Sequence, residues 1–243
     1  MRPITAWRRR RMGPLGPHKH SLLEAHDYRP TMNRFLAAAR TNPTLLFDVK
    51  LRDGAVVFDV GAYEGEWSEH ILAHAEDKGV NALQLHLFEP EANSIETLRE
   101  KFGADPRVHV HPFGLGGHDR LERMSIGGPG TSPFKKASQP GFFGAVDLEV
   151  RDVGGVLADL ALDRIDVMMV NIEGGEYELL DRLNETNWYR RIDTVIVQFH
   201  EFGPDAYRSR RRNRQQLAES HTCSWNYKWV FERWDRDTTS DRD

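Results

Sequence analysis

The stretch Ala55-Val56-Val57-Phe58-Asp59-Val60-Gly61-Ala62-Tyr63-Glu64-Gly65 decides how the chain is read. It opens as an apolar, β-branched run, the composition of a strand buried on both faces of a parallel sheet. It breaks at Gly61 and Gly65, and Glu66-Trp67-Ser68-Glu69-His70-Ile71-Leu72 then restarts with helical spacing. Strand, glycine turn and helix form the first unit of an α/β sheet of the nucleotide-binding kind. The glycines let backbone approach a ligand where a Cβ would collide, and the helix start offers unpaired N–H groups to an anion.

The turn departs from the dinucleotide pattern. That pattern has Gly-x-Gly-x-x-Gly after the strand and an acid about 20 residues on. Here Ala62 and Tyr63 follow Gly61, and Asp59 precedes it by two positions. The next strand-like run, Leu83-Gln84-Leu85-His86-Leu87-Phe88-Glu89, ends in an acid farther downstream than the dinucleotide spacing. An acid, Gly-x-x-x-Gly and then a strand-ending acid resembles the S-adenosylmethionine site of Rossmann-like methyltransferases.

Working outward, the 243 residues suffice for one substantial core. The expected organisation is a flexible basic leader over 1–20 and a single domain over 21–243, with a helical lead-in to residue 50 and an α/β core after it. The leader lacks the apolar stretch of a secretory signal. No apolar run approaches the roughly 20 residues of a membrane helix. Cys223 is the only cysteine, which excludes an intrachain disulfide and a cysteine-based metal cluster and suits a reducing cytoplasm. A net charge of −4 argues against a polyanion binder by bulk charge, so nucleic acid is not expected as a partner. The arginines are nevertheless grouped, at 8–11 and at 208, 210, 211, 212 and 214. They read as solvated faces or, in the sharper alternative, as contacts to an acidic partner.

Strand and helix alternate through the first half. Ser21 to Asn42 reads as helix interrupted at Pro30, with Thr31 capping the second piece. A helix from about Glu64 to Glu76 stops at Lys78-Gly79, an amphipathic helix runs from Ile95 to Phe102, and Val108 to His111 is a third strand. Alternation of this kind predicts a parallel sheet with right-handed crossovers. Leu121 to Ile126 and Val146 to Val150 are short strand candidates. Between them the glycine- and proline-rich segment Gly127 to Gly144 is expected to be a lid. Val153 to Leu162 reads as a short helix, Ile165 to Asn171 and Ile192 to Phe199 as buried strands, and Ala206 to Ser220 as an arginine-rich helix. Ser224 to Trp234 alternates as one strand with an aromatic face.

The chemistry is sought at strand ends, where open α/β sheets bind ligands. A carboxylate at Glu89 can accept hydrogen bonds from vicinal ribose hydroxyls. Gly61 and Gly65 shape the turn beside the cofactor, and Asp59 orients it. Ala62, Pro90, Gly114 and Asn171 complete the expected cofactor set. Glu173 and Glu176 follow a later strand, Glu176 having an alternative use in offsetting the helix dipole. His200, in Gln198-Phe199-His200-Glu201 at another strand end, is the chosen base, with Glu173 beside it. Glu173, Glu176 and His200 lack the compact spacing of a metal motif, and no metal is assigned.

These pieces together resemble the FkbM-type S-adenosylmethionine-dependent methyltransferases. The resemblance rests on Val57 to Gly65, Leu87-Phe88-Glu89-Pro90, Asn171-Ile172-Glu173-Gly174-Gly175-Glu176-Tyr177-Glu178, and the strand from Ile192 to His200. It covers roughly Leu45 to Glu201. The family usually carries aspartate where Asn171 stands and often glutamate near Gln198. The resemblance implies a class I fold, a seven-stranded, mostly parallel sheet with helices on both faces. It also implies O-methylation of a hydroxyl on a small molecule such as a saccharide or natural product. A nucleotide-binding oxidoreductase, disfavoured by the missing Gly-x-Gly, and a non-catalytic methyltransferase-fold binding protein remain as rivals.

Overall fold

In the computed structural model of the chain, residues 22–126, 144–201 and 205–237 are described. The basic leader and nearly all of the expected lid lie outside them. The described residues open with helix α1 (Leu22–Thr41). Strand β1 (Val56–Val60), helix α2 (Glu66–Asp77), strand β2 (Gln84–Phe88), helix α3 (Ala92–Phe102) and strand β3 (Val108–His111) follow. Next come the short strands β4 (Gly114–Gly116), β5 (Arg120–Ile126) and β6 (Gly144–Asp152), then helix α4 (Val153–Asp159). Strand β7 (Ile165–Val170), helix α5 (Glu176–Glu185), strand β8 (Ile192–Val197), helix α6 (Ala206–Leu217) and strands β9 (His221–Tyr227) and β10 (Phe231–Arg236) complete it.

The main sheet has seven strands in the order β3-β2-β1-β7-β8-β10-β9. Its first five strands are parallel, and β10 runs antiparallel to both β8 and β9. The chain builds outward from β1 in one direction and then restarts at β7 on the other side. The loops after β1 and β7 therefore diverge, leaving a crevice at the carboxyl edge of the sheet.

Side chains alternate across the sheet. Val57, Leu85, Leu87, Val167, Met169 and Ile196 join one buried cluster with α1, α2 and α3. Phe58, Val60, Phe88, Met168, Val170 and Val195 join another with α4, α5 and α6. Every residue of β1 and β7 is buried, as an apolar central strand requires.

Three features differ from the sequence reading. First, α1 runs unbroken through Pro30. The missing N–H costs one helical bond, but Phe35 and Ala39 on the same helix are buried in the core and hold it in place. Thr31 is thus an interior, buried residue and not a cap. Second, the aromatic run read as one strand is a hairpin. It turns at Lys228–Val230, with Trp229 in the left-handed region (φ 62°) and Val230 N–H donating to Tyr227 O at 2.8 Å. No glycine or proline marks the turn, because tertiary burial of Trp229 and Val230 fixes it. Third, β4, β6 and β5 form a separate three-stranded sheet, in that order. No helix among the described residues is long and apolar enough to cross a membrane.

Candidate active site

The glycine turn after β1 is left-handed at Gly61, Tyr63 and Gly65 (φ 82°, 52° and 76°). A Cβ on Gly61 would stand 2.3 Å from Asn171 O, and one on Gly65 would stand 2.4 Å from the Phe102 ring. Both glycines are therefore required by the protein's own packing. Gly61 N–H and Ala62 N–H both donate to Phe88 O, at 2.9 and 3.2 Å, tying the turn to β2. Strand alternation sends Asp59 to the α2 side, where Ser68 Oγ donates to its carboxylate at 2.7 Å. Asp59 is buried and braces the helix that follows the turn.

Glu89 follows β2 directly and is 8% exposed. Its Oε2 accepts from Tyr63 N–H at 2.8 Å and its Oε1 from Glu91 N–H at 3.0 Å. The turn and the strand-ending acid, distant in sequence, are thus one unit. A carboxylate offers about four acceptor positions, so it can serve a turn and a ligand together. Pro90 follows, half-buried, beside Gly114 of β4: a Cβ on Gly114 would lie 3.5 Å from Pro90 Cγ.

Across the crevice, Asn171 N–H donates to Val60 O at 3.0 Å and joins the ends of β7 and β1. The Asn171 side chain is buried, yet its Oδ1 has no hydrogen-bond partner among the described residues. Buried amide oxygens without partners are rare and costly, and a ligand donor at the switch point would satisfy this one. Glu173 is left-handed (φ 53°) and is followed by Gly174 at φ 110°. Glu173 Oε1 lies 3.7 Å from His200 Nε2, and Glu176 Oε1 lies 3.3 Å from His200 Nδ1. The imidazole is 10% exposed.

Two residues gain importance only here. Glu176 is fully buried and accepts from Gly174 N–H at 2.8 Å and from His200 N–H at 2.6 Å. Tyr177 OH donates to His200 O at 2.5 Å, and its ring stacks on Phe199. Burial, helped by the Glu176 charge, pushes the phenol well above its ordinary pKa, so it stays a donor. The Glu-Gly-x-Glu spacing was the available signal for Glu176. Nothing local says that a first-turn glutamate points inward.

Three of the five arginines of α6 are engaged within the protein. Arg210 and Arg214 both bond the buried carboxylate of Glu232, and Arg212 bonds Asp181. Arg208 remains exposed, 3.7 Å from Asp205.

A seven-stranded sheet of this order, with a glycine turn after β1, an acid after β2 and polar groups after β7 and β8, defines a Rossmann-like methyltransferase. Residues 59–221 match the methyltransferase FkbM domain, well over half of the chain, and the chain belongs to that family. No curated protein matched the chain. Among solved structures, it is similar to a methyltransferase FkbM from Methylobacillus flagellatus KT at 16% identity and a TM-score of 0.49, covering 79% of this chain and 47% of that one. The chain thus spans about half the length of that relative. It is also similar to a structure of a fibrillarin/Nop5p complex, at 13% identity and a TM-score of 0.45, covering 86% of this chain and 84% of that one. A ribosomal protein L11 methylase from Lactobacillus delbrueckii subsp. bulgaricus gives 14% identity and a TM-score of 0.39, with coverages of 86% and 79%.

Proposed function

We propose that the protein is an S-adenosylmethionine-dependent O-methyltransferase acting on a hydroxyl of a small molecule such as a saccharide or natural product. The observation that carries this reading is the His200 imidazole, held beside Glu173 and Glu176 on the sheet edge that also bears the Glu89 turn. In this reading Asp59, Gly61, Ala62 and Gly65 form and brace the turn against which the donor lies. Glu89 takes the ribose hydroxyls, with Pro90 and Gly114 beside it. Asn171 Oδ1 accepts from the donor's polar end. The donor supplies a sulfonium methyl, so no covalent nucleophile is needed, only alignment. When bound, S-adenosylmethionine would supply an electrophilic methyl group and keep the C–S electron pair on its own sulfur, and His200 would receive the proton released from the acceptor hydroxyl.

The binding-protein rival drew on the arginines of α6, three of which are held by internal carboxylates. The proposed setting is a reducing cytoplasm, which the single cysteine suits. Calorimetric titration with S-adenosylmethionine and with NAD tests the cofactor. Binding of the first and refusal of the second is expected, and the reverse would return the oxidoreductase. Transfer of labelled methyl groups to a panel of hydroxylated acceptors then tests the reaction.

A further inference from the structure

Strand β10 runs antiparallel to β8, with Asp235 opposite Thr194 and Glu232 opposite Val197. Continued past Phe231, that register brings the hairpin tip at Lys228–Val230 level with Phe199 and His200, at the carboxyl edge of the sheet. Helix α6 follows β8 and so starts at the same edge. Side chains of the three segments meet there. The Arg210 guanidinium carbon lies 5.7 Å from the centre of the Phe199 ring and 5.2 Å from that of Trp229. Glu232, buried, bonds Arg210 and keeps it in that place. Trp229, also buried, meets the Tyr207 ring in a T-shaped contact, with centres 4.9 Å apart and planes at 77°. Lys228 Nζ stands 5.1 Å from the centre of the same tyrosine ring.

Tyr207 is 43% exposed, one of two large apolar side chains that stand exposed among the described residues. Its support is strained. Trp229 lies in the left-handed region, an outlier for a bulky residue, and such outliers gather at binding sites. That turn sets Trp229 against the tyrosine on the protein side and Lys228 beside its ring. On α6 itself Arg208 and Arg211 are exposed, and Asp205 stands 3.7 Å from Arg208. Lysine and arginine side chains only donate hydrogen bonds. An aromatic ring bordered by cationic donors suits a ligand with an apolar ring face and an oxygen-rich, negatively charged rim. We propose, resting on the reading of the His200 edge as the place of methyl transfer, that Tyr207 and Lys228 form the acceptor's subsite and that the acceptor is an acidic saccharide. The sugar ring lies against Tyr207, and its carboxylate or phosphate takes the Lys228 ammonium.

The probes are glucuronate, α-glucosyl phosphate and glucose, with Kd read from saturation-transfer NMR titrations of the full-length protein. At least one of the two acids is expected to bind, and more tightly than glucose. Which of them binds separates a carboxylate from a phosphate on the acceptor. Tyr207→Ala should weaken that acid by about tenfold, and Tyr207→Phe, which keeps the ring, should leave it unchanged. Lys228→Ala should bring the acid to the level of glucose. Failure of both acids to bind overturns the proposal. So does glucose binding as tightly as either acid, or parental affinity in Tyr207→Ala. Labelled methyl transfer from S-adenosylmethionine to the probes keeps the two readings apart. Tyr207-dependent binding without transfer sinks the methyl-transfer reading and leaves the subsite standing. Transfer to a probe at the parental rate in Tyr207→Ala keeps the methyl-transfer reading and overturns the subsite.

Discussion

The loops after β1 and β7 face each other across the switch point and are built alike, but for different ends. Each places a non-glycine residue in the left-handed region three positions past its strand: Tyr63 after Val60 and Glu173 after Val170. Such a residue costs about 1–2 kcal/mol, and in each loop a buried carboxylate accepts a backbone N–H that holds the turn. Glu89 holds Tyr63 N–H, and Glu176 holds Gly174 N–H. The difference lies in what else the carboxylate touches. The other oxygen of Glu89 takes the Glu91 backbone N–H. The other oxygen of Glu176 takes the His200 backbone N–H and also faces the imidazole of that residue. The first loop is built around fixed dipoles, which suit holding a ligand. The second is built around a group that can move a proton.

If that division is right, the two loops fail differently when broken. The largest effect is expected on the β7–β8 side. His200→Ala should slow single-turnover methylation by about 10²–10⁴-fold while binding S-adenosylmethionine with near-parental affinity. Rapid-quench kinetics with labelled donor would show this once an acceptor is known, and a parental rate would move the base elsewhere, with Glu173 the next residue to test.

On the β1–β2 side the expected loss is in binding. Glu89→Ala should weaken S-adenosylmethionine by about 1–3 kcal/mol, because a charged acceptor is lost and the Tyr63 turn is released. Calorimetry on folded variant protein measures it. An unchanged Kd would leave Glu89 as an internal brace and dissolve the contrast between the two loops.

A smaller effect sharpens the comparison through pH. His86 and His111, on β2 and β3, lie 3.0 Å apart, and His111 O accepts the Glu89 N–H at 3.2 Å. Burial first, then the neighbouring histidines, lowers His86 from about 6.5 to about 3. Burial, then His109 and Arg151, lowers His111 to about 4. The unfolded chain therefore binds more protons than the folded one below about pH 6.5. Stability from these groups is complete above that pH and is lost as pH falls toward their folded values. The slope is about 1.4 kcal/mol per pH unit for each. His70 and His221 are lowered by burial in the same direction. Urea unfolding at pH 7 and pH 5 should show a marked loss, reduced by one group's share in His86→Leu. Equal midpoints at both pH values would mean that His86 and His111 charge freely in the fold.

The family, the sheet and the glycine turn with its strand-ending acid were legible in the sequence because they are written locally. An apolar β-branched run, two glycines and a helical restart specify strand, turn and helix within one short stretch, and Glu89 closes the next strand in the same way. Period alone placed Asp59 and the glycines at the end of β1. It did not say that their backbones and side chains serve the protein itself: Asp59 bound to Ser68, Gly61 against Asn171 O, Gly65 against Phe102. Those contacts join segments far apart in the chain, and only folding decides them. The hairpin at Trp229 shows the same limit, since alternation continues across a turn that burial, not a turn residue, imposes. The inward direction of Glu176 is the sharpest case. Its residue type and helix position were equally consistent with a solvated end, and the backbone donors that hold it inward are Gly174, in the loop after β7, and His200, past the end of β8. Local sequence determined which groups stand at the carboxyl edge, and tertiary packing determined which of them face one another, because burial and hydrogen-bond satisfaction are properties of the assembled sheet.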